Sequence, residues 1–154
     1  MKAQSALEYL MTYGWAILIV IIVGAALYAL GVFNPGTFTG QKSTGFSAVQ
    51  MSDFKFKTDG TVLLMIGNRK GRTISISNIT GTFSSKTLAN STTSACLSSV
   101  LGPNDVCNAQ LGEFTPNPAL GSTYNMDIRI NYTDTTTGVL HTDFGTISGS
   151  VEPA

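Results

Sequence analysis

The sequence predicts an α+β protein in which one long hydrophobic N-terminal helix is followed by an antiparallel β-sandwich. The run from Leu10 to Phe33 contains no charged residue. The rest of the chain is rich in Ser, Thr, Gly and Asn and has short apolar runs of strand length between turn residues. Charged residues make up 12% of the 154 residues, about half the usual share for a soluble domain. The chain therefore divides into an apolar segment and a polar domain.

The apolar run has the length of a membrane-spanning helix, because a bilayer core requires roughly 20 apolar residues in helical form. It has no polar stripe, which is typical of a helix surrounded by lipid or by other helices. Asn-Pro-Gly at 34–36 marks its end, because proline restricts the preceding residue away from helical angles. We expect the helix at residues 4–34, a Gly/Ser/Thr-rich linker at 35–45, and the β domain at 46–154.

Two simpler interpretations of the N-terminus fit less well. A removable secretory signal has an apolar region of about 7–15 residues followed by a small-x-small cleavage site, and this run is longer and lacks a good site. A simple signal anchor accounts for the span but not for Glu8, the only Asp, Glu, Lys, Arg or His between Lys2 and Lys42. Lys2 favours an N-inside orientation, although the charge bias is weak.

The prefix KAQSALEYLMTYGWAIL resembles the N-terminus of archaeal type IV pilins, adhesion pilins in particular, which carry a class III signal peptide. The resemblance extends to Pro35. It implies that a prepilin peptidase removes a leader at residues 1–3 by cutting between Ala3 and Gln4. Glu8 then becomes the fifth residue of the mature chain, where this family keeps a Glu. Ala3 stands where the family more often has Gly, and a small residue is preserved.

Elementary electrostatics gives Glu8 a role. Cleavage would create an α-amine, largely cationic near pH 7 with an unperturbed pKa of roughly 7.7–8.0, four residues before Glu8. The helix dipole favours a carboxylate in the first turn by only about 0.3–1 kcal/mol, which is small beside the cost of burying an unpaired carboxylate. We expect Glu8 to pair with the N-terminal amine of a neighbouring subunit and to set the axial register of a filament.

The polar part contains several strand signals. Asp59-Gly60 is a hairpin signal between the alternating residues Phe54 and Phe56 and the apolar run TVLLMIGN. A later segment places five large residues on one face of a strand: Tyr124, Met126, Ile128, Ile130 and Tyr132. Several short strands without an amphipathic helical pattern between them predict an antiparallel β-sandwich, here of the immunoglobulin-like kind.

The chain has two cysteines, Cys96 and Cys107. Together with the single distant histidine they do not provide the four ligands of a structural zinc site, and no metal or cofactor is expected. An even pair in a small polar domain favours a disulfide in an oxidising compartment, worth roughly 3 kcal/mol for a loop of this length. Two buried free thiols are the alternative.

Three sequons of the type Asn-x-Ser/Thr begin at Asn78, Asn90 and Asn131, and the first and last fall in predicted strands. Their use requires exposure to a glycosylation machinery outside the cytoplasm. The disulfide, the sequons and the sparsely charged surface together favour an N-in, C-out orientation, with the β domain outside the cell.

No catalytic constellation is recognisable. His141 stands beside Asp143 in a predicted strand and is interpreted as a half-exposed strand residue rather than a base. The Asp residues are scattered without EF-hand spacing. With 9 basic and 9 acidic residues and no basic run, the chain is not expected to bind nucleic acid.

The sequence therefore predicts a non-enzymatic structural subunit of an extracellular type IV pilus-like filament. The resemblance implies surface adhesion or cell–cell contact as its role. Expected partners are identical subunits in a helical homopolymer, the prepilin peptidase and the pilus assembly machinery, with the precursor held in the cytoplasmic membrane. The alternatives are an archaellin, the subunit of the archaeal swimming filament, and a monomeric membrane-anchored extracellular binding module.

Overall fold

The computed structural model describes residues 2–30, 32–33, 40–89, 94–97 and 99–154, and for residues 2–5 it describes the backbone only. One helix, α1 (Lys2–Ala29), comes first. Within the described ranges it is followed by β1 (Lys42–Thr44), β2 (Val49–Phe56), β3 (Val62–Asn68), β4 (Ile74–Phe83), β5 (Lys86–Ala89), β6 (Val100–Leu101), β7 (Val106–Leu111), β8 (Thr123–Asp134) and β9 (Leu140–Ser150).

Helix α1 ends at Ala29, before the Asn-Pro-Gly sequence that predicts its end and that lies outside the described residues. The N–H of Leu30 still donates to the carbonyl of Ala26 at 2.9 Å, and the N–H of Val32 reaches back to Leu27 at 3.1 Å. These two bonds satisfy carbonyls that a helix end would otherwise leave unpaired.

The strands form two antiparallel sheets. The large sheet has the order β1-β9-β8-β4-β5, with β6 also paired to β4, and the small sheet has the order β2-β3-β7. Part of the segment expected to be a linker is therefore a strand, because β1 pairs with residues 146–148 of β9. The α+β layout predicted from the sequence is confirmed at this level.

The hydrophobic alternation of the sequence determines which face of each strand is buried. All five alternating residues of β8 lie in the core, and the residues between them face outward. The predicted hairpin at Asp59-Gly60 joins β2 to β3, with Phe56 opposite Val62 and Gly60 at a φ of +84°. A left-handed backbone of this kind favours glycine because it has no Cβ.

The two sheets pack against each other on one core. Phe56 of the small sheet makes edge-to-face contacts with Phe83 and Tyr124 of the large sheet, each with ring centroids 5.2 Å apart. The sheets approach closely at Gly81, where an added Cβ would meet the side chains of Leu111 and Met126. Burying one such aromatic ring contributes roughly 1.5–3 kcal/mol, so this aromatic cluster is a main source of stability for the β-sheet domain.

Candidate functional site

Helix α1 is long and apolar enough to cross a membrane. Within its segment Ala6–Ala29, a window of 18 residues reaches a mean hydropathy of 2.3. The 28 residues of α1 extend about 42 Å, against the roughly 30 Å of a bilayer hydrocarbon core. Every described side chain of the helix except Leu27 is exposed in the single chain. The helix thus offers an apolar surface on all sides to whatever surrounds it.

Glu8 lies on the exposed surface of the first half of α1, next to Leu7 and Met11. The Thr12 hydroxyl donates to the Glu8 carbonyl at 2.9 Å, so the Thr12 side chain is satisfied by the helix backbone. The sequence has no Lys, Arg or His from Ala6 to Leu30, so no cation on that stretch of helix pairs with the carboxylate. In an apolar environment Glu8 needs a positive group from elsewhere.

The expected cleavage site lies within the helical backbone. Ala3 and Gln4 belong to α1, and their side chains are not among those described. Four residues of helix rise about 6 Å, so the backbones of Gln4 and Glu8 are one turn apart on the same side of α1. Cleavage before Gln4 would therefore place the new amine one helical turn from Glu8 in each subunit.

Cys96 and Cys107 form the predicted disulfide, with a Cα–Cα distance of 5.1 Å. Cys96 lies in a 3₁₀ turn at Ala95–Leu97 and is fully buried, whereas Cys107 lies in β7 rather than in a loop. Ser94 reinforces the attachment, because its hydroxyl donates to the Gln110 carbonyl at 3.1 Å and accepts the Gln110 N–H at 3.0 Å. Residues 94–97 therefore cover β7, which is an edge strand of the small sheet. An uncovered edge strand presents unpaired backbone groups.

Two of the three sequons are direct neighbours. Asn78 of β4 is the register partner of Asn131 of β8, and both side chains are on the outer face of the large sheet. A bulge between Ile76 and Asn78 gives this pairing. The Asn131 side-chain carbonyl also accepts the Thr142 hydroxyl at 2.9 Å. Asn90 lies outside the described residues.

Asp143 is a buried anchor that sequence reasoning missed. It is 4% exposed and faces inward from β9. Its carboxylate accepts the N–H groups of Ala48 at 2.8 Å and Val49 at 3.0 Å, and both the N–H and the hydroxyl of Ser47. Burial alone would raise the pKa of Asp143, but these hydrogen bonds outweigh it and hold the pKa below its usual range. The inward position of an acid in an alternating strand was the available signal.

Asn68 is a second buried structural residue that the sequence did not indicate. Its amide donates to the carbonyls of Arg72, Leu101 and Gly102 at 2.8–3.0 Å, and its side-chain oxygen accepts the Lys70 N–H at 2.9 Å. A buried side-chain amide with satisfied donors and acceptor joins the loop after β3 to the loop after β6. The hydrogen bonds of Asn68 therefore fix the two loops at one end of the β-sheet domain.

His141 lies in β9, half-buried, and stacks on Tyr132 with ring centroids 5.3 Å apart. Within the described ranges, no group of three or more His, Cys, Asp and Glu side chains could hold a metal ion. The fold thus brings together the paired sequons and the two disulfide cysteines, whereas Glu8 lies on α1 without a Lys, Arg or His between Ala6 and Leu30.

Comparisons with protein-family models, with curated proteins and with solved structures found no match for the chain.

Proposed function

We propose that this chain is the structural subunit of an extracellular type IV pilus-like filament, polymerised through α1 and coated by the β-sheet domain. The observation that carries the proposal is α1 itself, which is apolar on every side over the full width of a membrane. The β-sheet domain has its own core, to which no described side chain of the helix belongs. The same apolar surface of α1 thus contacts lipid in the precursor and identical helices in the filament.

In this proposal the precursor is held in the cytoplasmic membrane with its N-terminus inside and its β-sheet domain, which we call the head, outside. A prepilin peptidase cuts between Ala3 and Gln4, and the assembly machinery extracts the mature subunit into the filament. The resemblance of the N-terminal segment to class III signal peptides supports this order of events. Surface adhesion or cell–cell contact is the role that the same resemblance implies.

The transfer from lipid to a helical bundle needs specific contacts. Lipid tails are as apolar as Leu, so helix association in a membrane depends on close packing and on polar pairs rather than on the hydrophobic effect. Gly14 and Gly24 carry no side chain, and small residues of this kind let the backbones of neighbouring helices approach closely. Glu8 supplies the polar group, because pairing with a neighbour's α-amine removes the cost of a lone carboxylate.

We propose further that the head is an immunoglobulin-like sandwich. The path β9-β8-β4-β5 corresponds to strands G-F-C-C′ of such domains, and β2-β3-β7 corresponds to A-B-E. The hairpins β2–β3, β4–β5 and β8–β9 then match A–B, C–C′ and F–G. Two features depart from the antibody pattern: β1 pairs with β9 before the chain enters β2, and the disulfide does not join strands B and F.

Replacing the Glu8 carboxylate tests the proposal. Glu8→Gln removes the charge at nearly constant shape, Glu8→Asp retains a carboxylate, and Thr12→Ser is a control one turn away that keeps the hydroxyl bonded to the backbone. In cells whose own copy is replaced, Glu8→Gln should be inserted in the membrane and cleaved, yet yield at least tenfold fewer sheared filaments than Thr12→Ser. Glu8→Asp should be intermediate. Filaments of Glu8→Gln at normal abundance would contradict the proposal.

A further inference from the structure

The outer face of the large sheet carries a groove of about 430 Å³. Thr80, Thr82 and Thr87 line one side of it, from β4 and β5. We call this concavity the hydroxyl groove. Its opposite side is formed by residues of β8 and β9, namely Asp127, Arg129, Phe144 and Thr146. Its volume lies in the range of about 300–1,000 Å³ that small-molecule sites occupy.

Phe144 gives the groove an aromatic wall. Its side chain is 70% exposed. It is a large apolar residue on a polar face, since its neighbours on the same side of β9 are Thr142 and Thr146. Its cross-strand partner on β8 is Arg129. The core residues of the sheet lie on the other face, so Phe144 contributes nothing to the packing between the sheets. A single exposed aromatic ring is common, but here it stands beside polar groups in a concave surface.

The polar groups of the groove are partly held in place before any ligand arrives. The hydroxyls of Thr82 and Thr87 are hydrogen-bonded to each other at 2.8 Å, and the Thr146 hydroxyl donates to the Asp127 carboxylate at 2.9 Å. Each hydroxyl retains further capacity to donate or accept. Fixed side chains reduce the entropy that a ligand must overcome on binding.

The chemistry of the groove selects a class of ligand. Its hydroxyls both donate and accept, Arg129 only donates, and Asp127 only accepts. The one positive and the one negative charge cancel, which disfavours phosphorylated or strongly anionic ligands. A neutral molecule with many hydroxyls and one apolar C–H face matches all of these groups, because the C–H face can cover an aromatic ring while the hydroxyls pair with the threonines.

We propose that the hydroxyl groove binds a neutral oligosaccharide, with one sugar ring against Phe144 and its hydroxyls bonded to Arg129, Asp127 and the threonines. The ligand comes either from a foreign surface or from the chain's own N-linked glycan. The second source is within reach because Asn131 lies on the same face of β8, two residues from Arg129. The inference concerns the folded head and does not depend on filament formation.

The test uses the full chain, produced without glycosylation and reconstituted in lipid nanodiscs. Maltohexaose, cellohexaose, mannohexaose and chitohexaose are titrated while the backbone amide signals of Phe144 and Thr146 are followed by NMR. At least one sugar should shift these signals, and Phe144→Ala should weaken its binding at least tenfold. Leu140→Ala is the matched control, because Leu140 is 63% exposed on the same face of β9 but does not line the groove, and it should bind normally.

The source of the sugar is decided with chain purified in glycosylated form. If the chain's own glycan fills the groove, added sugar should bind weakly until Asn78→Gln/Asn131→Gln removes the glycan attached to the same face of the sheet. If the ligand is external, glycosylated and unglycosylated chains should bind alike. The proposal is overturned if none of the four sugars shifts the groove amides, or if Phe144→Ala binds as tightly as the unmodified chain.

Discussion

Removing the Asp143 carboxylate should strongly destabilise the head domain. In Asp143→Ala the buried N–H groups of Ala48 and Val49 lose their acceptor, and each buried unpaired donor costs about 1–3 kcal/mol. These two groups together account for about 2–6 kcal/mol. Ser47 is exposed, so water replaces its bonds at little cost. Asp127→Ala changes the same residue type on the outer face of the same sheet and should stay within about 0.5 kcal/mol of the unmodified chain.

The pH dependence separates the charge from the shape of Asp143. Its folded pKa lies below the unfolded value of about 3.9, so its stabilisation is complete above that value and is lost as the pH falls through the folded pKa. Asp143→Asn keeps one acceptor oxygen and should be less damaging than Asp143→Ala. The stability difference between the unmodified chain and Asp143→Asn should be constant from pH 7 to about 5 and shrink below about pH 4.

The assay must report on the head, because the single Trp15 is in α1. Chemical unfolding of the full chain in micelles can be followed by the near-ultraviolet circular dichroism of the tyrosines, of which Tyr124 and Tyr132 are in the core. Hydrogen exchange of the Ala48 and Val49 amides gives a local measure. Unchanged unfolding free energy in Asp143→Ala, with both amides still protected, would refute this account of the anchor.

Two further predictions concern the head. Because Asn78 and Asn131 are opposite each other, with Cβ atoms about 4.5–5.5 Å apart as in any directly opposed pair, only one of them has room for a bulky glycan. Intact mass spectrometry should detect at most two N-glycans per chain, and a species with three would contradict the register. Replacing Cys96 and Cys107 together by Ala should lower the unfolding free energy by about 3 kcal/mol, measured against the oxidised chain. An equal stability would show that the cross-link contributes nothing.

The elements predicted best are those whose pattern was determined by burial. The alternation through β8 assigned Tyr124 and Tyr132 to the core face. Successive side chains of a strand point to opposite faces of the sheet, so when one face is buried the apolar residues must all lie on that face. Asp59-Gly60 located a hairpin because few other dipeptides suit its backbone angles. Local chemistry was sufficient in both places.

The elements that the sequence did not reveal depend on distant partners. The sequence of strand β1 is typical of a linker, since Lys42–Thr44 has no apolar residue, and its strand conformation depends on the pairing with β9. The role of Asp143 was not predictable, because the N–H groups that it accepts belong to Ser47, Ala48 and Val49, nearly a hundred residues earlier in the chain. The groove beside Phe144 depends on four strands whose order the sequence does not specify.

The N-terminal sequence of protein sheared from the cell surface decides whether this chain is a processed filament subunit. A filament subunit released by a prepilin peptidase should begin at Gln4, four residues before Glu8, and should sediment as polymer. Surface protein that still begins at Met1 or Lys2, and that is recovered only with the membrane, would contradict processing into a filament and favour a monomeric anchored module.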